Sequence, residues 1–221
     1  MPPGDDAAVS ALRPLGSNGS SVAIVVGRKK VATVDTGWAM DEGIRTDTPW
    51  TAELAARVHA AARQHAALAH AIRLTGARQR SSFDLTRRLK MAGHQEPDAR
   101  AAVEKLADLG ILCDDSLATR LAEELARAGR HGRRGIENKL RVKGFKPDLA
   151  SKAARLAQEE EGDPDAAQTL AHKRARQLAC YEPDVARRRL YGFLIRRGFD
   201  HDEARNATEA ALSSLASEDL H

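Results

Sequence analysis

Aromatic side chains are scarce in this chain: Trp38, Trp50, Phe83, Phe145, Tyr181, Tyr191, Phe193 and Phe199 are the only eight among 221 residues. A wide aromatic-lined catalytic pocket or a large β-sandwich core is hard to assemble from that supply. The two cysteines, Cys113 and Cys180, are far apart and lack ligand spacing, which argues against both a disulfide framework and a zinc site. The longest aliphatic run, Val22 to Val26, falls far short of the roughly 20 residues that a membrane-spanning helix needs. The first twenty residues hold Asp5 and Asp6 and no apolar core segment, so no secretory signal is expected. A cytoplasmic protein is the expectation.

What is abundant is alanine, with 41 residues, alongside leucine, arginine and glutamate. All are strong helix formers, and they point to packed helices. The formal charge of +4 hides an uneven distribution. Positions 127–146 hold Arg127, Arg130, Arg133, Arg134, Lys139, Arg141, Lys143 and Lys146 against Glu137 alone. A second basic stretch, 173–197, includes Arg187, Arg188, Arg189, Arg196 and Arg197 against Glu182 and Asp184. Between them, Glu159, Glu160, Glu161, Asp163 and Asp165 form an acidic block. Basic clusters of this kind suggest a polyanionic or acidic partner.

Along the chain, residues 1–20 are rich in Pro, Gly and Ser and predict a disordered tail. Two β-branched runs, Ser21 to Val26 and Val31 to Asp35, flank a short Gly27-containing turn and predict a β-hairpin within an otherwise irregular segment 21–50. From Thr51 to about Gly76 nothing interrupts a run of Ala, Leu, Arg and His. It predicts a long helix (segment 51–80) capped by Thr51, with Leu54, Val58, Leu68 and Ile72 on its apolar side. Beyond it, Pro97-Asp98, Pro147-Asp148, Pro164-Asp165 and Pro183-Asp184 mark helix starts. Proline's missing N–H is harmless in a first turn, and the adjacent carboxylate complements the helix dipole.

Glycines mark the stops and reveal a repeat. Gly93, Gly144 and Gly198 lie 51 and 54 residues apart, each preceded at four residues by Leu89, Leu140 or Leu194. Eight before each stands Leu85, Ile136 or Leu190, and six after stands Ala99, Ala150 or Ala204. The glycine fits a left-handed helix end, the aliphatic pair one buried face, and the alanine a close crossing. The pattern predicts a mainly α protein of tandem three-helix repeats in an extended curved array, preceded by the small hairpin. Each unit is predicted as a helix, tight turn and helix followed by a third helix, over 81–131, 132–181 and a partial copy in 182–221.

The segment Leu109-Gly110-Ile111-Leu112-Cys113-Asp114-Asp115-Ser116-Leu117-Ala118 resembles a stretch of the RecX family, bacterial regulators of the RecA recombinase. The run Gly129-Arg130-His131-Gly132-Arg133-Arg134-Gly135-Ile136 through Lys143-Gly144-Phe145 is similar to that family's basic Gly-x-x-Gly loop and following helix. Leu190-Tyr191-Gly192-Phe193-Leu194-Ile195-Arg196-Arg197-Gly198-Phe199 resembles its final Phe-Leu-x-Arg-Arg-Gly-Phe. The likeness covers about 70–215 and extends more weakly to the hairpin and Gly43-Ile44. Cys113, Ser116 and Leu117 depart from the family pattern, where an acid, an arginine and an aromatic are usual. Either a partner contact is altered there, or Leu117 simply preserves the burial of a helix start, the reading favoured here.

The resemblance implies a negative modulator of RecA that lies in the groove of the recombinase–DNA filament and inhibits filament extension, ATP hydrolysis and strand exchange. It acts by binding, with RecA as partner and nearby DNA phosphates as an open second contact, in a chain expected to be monomeric and away from membranes. A sequence-independent DNA-binding repeat protein without a recombinase partner is the alternative. No enzyme, cofactor or metal is expected. Gly129-x2-Gly132-x2-Gly135 lacks the Lys-Ser/Thr and preceding strand of a phosphate loop and reads as a flexible basic turn. His59, His65 and His70 are spaced by six and five, and neither spacing stacks two imidazoles on one helix face as i, i+4 would. The candidate contact residues are Arg130, Arg133, Arg134, Lys139, Arg141, Lys143, Arg187, Arg188, Arg189, Arg196 and Arg197. Any one of them could equally be ordinary solvated charge. Their recurrence near the same part of successive units favours a binding face.

Overall fold

The structure, a computed structural model, describes residues 7–16 and 19–218. The chain divides into two compact units that meet in sequence at Leu112/Cys113.

The first unit begins with an antiparallel sheet of β1 (Val9–Leu15), β2 (Ser21–Val26) and β3 (Lys29–Asp35), in the order β1-β2-β3. The hairpin of β2 and β3 pairs Val26 with Lys29 across a turn whose Gly27 has φ +62°, the left-handed conformation that a tight hairpin needs. β1 corrects the expectation of a disordered tail: the part of 1–20 that is described is mostly strand, and residues 1–6, 17 and 18 lie outside the description. Val9 is fully buried there, and Pro14 is tolerated because β1 is an edge strand. With β1 added, β2 becomes the central strand; Val22, Ile24 and Val26 belong to the core shared with α2, and Ala23 and Val25 are buried as well. The segment expected to be irregular also contains a short helix, α1 (Thr36–Asp41), whose first turn donates from the Trp38 N–H to Asp35.

Helix α2 (Ala52–Ala77) starts where the Thr51 hydroxyl accepts from the Leu54 N–H. Its first half packs Leu54 and Val58 on the sheet together with Ile44 and Trp50. Its second half packs Ala67 and Ala71 against α3 (Ser82–Met91) and α4 (Glu96–Asp108). Ile72 is 50% exposed, against expectation. The buried face is a ridge of alanines, because small side chains let the helix axes approach.

The second unit contains α5 (Asp114–Arg127), α6 (Arg133–Val142), α7 (Pro147–Glu161), α8 (Ala166–Ala175), α9 (Pro183–Arg196) and α10 (His201–Glu218). A 3-10 turn, Arg176–Leu178, follows α8. Three of the Pro-Asp dipeptides stand in the first turns of α4, α7 and α9, and Pro164-Asp165 immediately precedes α8.

The three copies of the repeat share the same local geometry at their glycine turns. Gly93, Gly144 and Gly198 have φ of +92°, +88° and +83°. In each copy the residue after the glycine donates back to the leucine carbonyl: His94 to Leu89, Phe145 to Leu140, Phe199 to Leu194. These are the paired bonds of a left-handed helix stop. Leu85, Leu89, Ile136, Leu140, Leu190 and Leu194 are fully buried, as are Ala99, Ala150 and Ala204.

The phase of the repeat differs from the predicted one. Ala118, Ala122 and Ala126 of α5 share a core with Ile136, Leu140 and the alanines of α7. The three-helix groups are therefore α2-α3-α4, α5-α6-α7 and α8-α9-α10, each core lying between a leading helix and the glycine-turned pair that follows it. Each leading helix carries alanines four apart: Ala67/Ala71, Ala118/Ala122/Ala126 and Ala167/Ala171/Ala175, all buried. Alanine at that spacing forms a smooth ridge for the pair to clasp. In this phase the last group has all three of its helices. Leu117 packs partly buried on the α5-α6-α7 core.

Candidate cationic interface

The glycines at the start of α6 form a joint between α6 and α9 within the second unit. The Gly132 N–H donates to the Arg197 carbonyl at 3.1 Å, and the Arg134 N–H donates to the Gly198 carbonyl at 3.2 Å. The donor-rich end of α6 thus meets the acceptor-rich end of α9, which satisfies orphan groups of both and pairs opposite dipole ends. Such an approach is possible only without side chains. A Cβ on Gly132 would lie 2.5 Å from the Gly198 oxygen, and one on Gly135 2.9 Å from the Arg197 carbonyl carbon. A Cβ on Gly198 would overlap the Gly135 backbone outright. The flexible basic turn expected from the sequence is therefore a close backbone contact at its Gly132–Gly135 end, and its N–H groups are aimed at carbonyls.

The joint brings the two basic stretches together. The Arg197 guanidinium donates to the Arg130 carbonyl at 3.2 Å. His131, partly buried between them, has its pKa pushed below 6.5 by burial and then by the positive charges of Lys139, Arg197 and Arg130; a hydrogen bond with the Arg197 backbone offsets this only in part. Arg197 and Arg174 both lie over the Phe193 ring, at 5.1 and 5.6 Å from its centroid.

Around this centre Arg130, Arg133, Arg134, Lys139, Arg141 and Lys143 are exposed, as are Arg188, Arg189 and Arg196. Among the described residues, no carboxylate pairs with Arg130, Arg133, Arg134, Lys139, Arg141, Arg188 or Arg196. In the first unit several cations are paired. There Arg57 pairs with Glu42, Arg63 with Asp98, Lys90 and Arg100 with Glu96, and Arg80, Arg87 and Arg88 all with Asp84. Burial raises the Asp84 carboxyl, but hydrogen bonds from Arg88, Arg87 and Arg80 outweigh it and hold it at about 2.

Two candidates are engaged elsewhere. Arg187 is held by Asp184 at 2.9 Å and Glu209 at 3.1 Å. Arg189 stacks on Tyr181, 3.9 Å from the ring centroid. Sequence reasoning missed His131 and the Phe193 stack. It also missed the joint, although the spacing of Gly132 and Gly135 was a signal for it.

Chemically, this surface offers guanidinium forks to oxyanions, phosphate or carboxylate alike. Fold and surface together define a protein of repeated three-helix bundles with an unneutralised cationic face.

Residues 161–208 match the family model described as RecX, third three-helix domain, which falls on α8-α9-α10. The chain is 31% identical over 143 residues to regulatory protein RecX of Trichlorobacter lovleyi, covering 63% of this chain and 91% of that protein. It is 32% identical over 146 residues to regulatory protein RecX of Stenotrophomonas maltophilia, covering 66% and 87%. A crystal structure of regulatory protein RecX superposes with a TM-score of 0.76 at 17% identity, over 92% of this chain and 99% of that one. RecX from Lactobacillus salivarius superposes with a TM-score of 0.57 at 18% identity, over 67% and 96%. The chain belongs to the RecX family of regulatory proteins. Among the described residues, no helix is long and apolar enough to cross a membrane.

Proposed function

We propose that this protein is a negative modulator of the RecA recombinase. It binds the recombinase–DNA filament along its groove and hinders filament extension, ATP hydrolysis and strand exchange. Membership of the RecX family supports RecA as the partner. The observation that carries the contact assignment is the joint of α6 and α9, which gathers Arg130, Lys139 and Arg197 around His131 with no carboxylate to neutralise Arg130 or Lys139. Uncompensated cations on a helical surface fit acidic recombinase side chains, DNA phosphates, or both. Because the attraction is electrostatic, affinity falls as salt rises. The action is one of binding, with no bond made or broken.

The test is DNA-dependent ATP hydrolysis by RecA on single-stranded DNA. Inhibition is expected at stoichiometric or lower amounts of this protein, and no inhibition would refute the proposal. Charge reversal at Arg133, Arg134, Arg141 and Lys143 should weaken inhibition while leaving the helical circular dichroism intact. Inhibition at full strength in that variant would refute the surface assignment. Tight binding to naked DNA at physiological salt, without inhibition, would favour a DNA-binding repeat protein instead.

A further inference from the structure

The outward face of α3 carries a pair of exposed apolar residues where α6 carries one, Val142, and α9 carries arginines. Its inward face, Leu85 and Leu89, is fully buried. Outward, Phe83 is 58% exposed and Met91 80%. The two are eight residues apart, about 12 Å along a helix. They bound a groove of about 680 Å³ against the start of α4, rimmed by Arg87, Lys90, Glu96 and Arg100.

The bundle does not need apolar residues at these two places. In the repeat register, Phe83 corresponds to Arg134 and Arg188, and Met91 to Val142 and Arg196. The third copy folds the same three helices with arginine at both positions. An exposed apolar pair that folding does not demand marks a surface for something else.

The rim says what kind of partner fits. Three cations stand against one carboxylate, and that carboxylate is already held by Lys90 at 2.8 Å and Arg100 at 2.5 Å. Asp84 alongside is likewise taken up by Arg80, Arg87 and Arg88. Five cations, Arg80, Arg87, Arg88, Lys90 and Arg100, thus share two carboxylates, so the groove has two apolar anchors and an edge whose positive charge is only partly offset.

We propose that the α3–α4 groove is a docking site for an acidic amphipathic helix of a protein partner. Apolar side chains about two turns apart on that helix cover Phe83 and Met91, and its flanking carboxylates meet Arg87, Lys90 and Arg100. This is helix-in-groove recognition, with charge selecting the partner. It is independent of the cationic face of α6 and α9.

The experiment uses the full chain and a fluorescein-labelled sixteen-residue designed peptide with leucines at i, i+4, i+7 and i+11 and glutamates beside them. An analogue with lysines in place of the glutamates is the control. Fluorescence anisotropy should show saturable binding of the acidic peptide and none of the basic one. Phe83→Ala/Met91→Ala should weaken binding about tenfold or more, as loss of central apolar anchors does. Both side chains are exposed, so the fold should stay intact by circular dichroism. Arg87→Gln/Lys90→Gln, a second variant, should weaken binding and flatten its salt dependence. Equal binding of both peptides, binding of neither, or wild-type binding by the double alanine variant overturns the proposal. So does self-association that the alanine variant abolishes while the acidic peptide fails to bind, since the occupant is then a second copy.

Discussion

Replacing Gly135 by alanine sets two physical effects against each other. Gly135 is the third residue of α6, where alanine is intrinsically better than glycine by about 1 kcal/mol. Its added methyl group, however, would sit 2.9 Å from the Arg197 carbonyl carbon, nearer still to that oxygen, and 3.3 Å from the His131 Cβ. Relieving the overlap requires the ends of α6 and α9 to part by about 1 Å, which stretches hydrogen bonds of 3.1 and 3.2 Å beyond bonding range. Two lost backbone bonds cost about 1–3 kcal/mol together, and overpacking a tight contact adds about 1–3 kcal/mol. The clash wins: a net loss of about 1–5 kcal/mol is expected, read as a lower urea midpoint by circular dichroism. Gly93→Ala is the control. Gly93 has φ +92° with nothing within 4 Å of the added carbon, so it should cost only about 1–2 kcal/mol of left-handed strain. Because the joint gathers Arg130 and Arg197, Gly135→Ala should also weaken RecA inhibition more than Gly93→Ala does. A Gly135→Ala protein as stable as wild type would refute the reasoning.

Leu140→Ala empties a fully buried site at the helix stop of the α5-α6-α7 bundle and should cost about 2–5 kcal/mol in urea unfolding; a loss well below 1 kcal/mol would mean the core collapses into the gap. Stability should fall on acidification below pH 6.5. His70 lies 3.0 Å from His94, ring nitrogen to ring nitrogen, and burial, then His94 and Arg73, lower its pKa from 6.5. The unfolded chain therefore binds more protons as pH drops, so the contribution is complete above 6.5 and declines below it. His94→Phe, which copies Phe145 and Phe199 at that register, should shrink the fall in urea midpoint between pH 7.5 and 5.5, and an unchanged fall would count against the pair. Arg187→Ala should leave RecA inhibition near wild type, because Asp184 and Glu209 already hold that guanidinium. Arg134→Ala should weaken inhibition, and the reverse order would relocate the contact surface.

The sequence by itself determined the helix stops, the repeat and the family. Glycine alone accepts the left-handed turn without strain, so Gly93, Gly144 and Gly198 announce themselves, as do the leucines four residues before them. These are local rules, legible wherever backbone and side-chain chemistry act over a few residues. Edge strand β1 was illegible, because its seven residues include Pro14 and become a strand only when β2 offers a partner. The apolar side of α2 was misjudged at Ile72 because burial is decided by what lies opposite, and α3 and α4 clasp alanines.

The grouping of helices was equally a tertiary matter. A helix midway between two glycine turns can pack with either neighbour, and only the complementary alanine ridge of α5 assigns it to α6 and α7. The cationic surface divides in the same way. Composition showed two basic stretches, yet which cations remain unneutralised depends on carboxylates distant in sequence: Glu209 takes Arg187 across 22 residues, while Arg130 meets Arg197 across 67. Long-range Coulomb partners and backbone contacts exist only once the chain has folded, so that choice belonged to the tertiary structure.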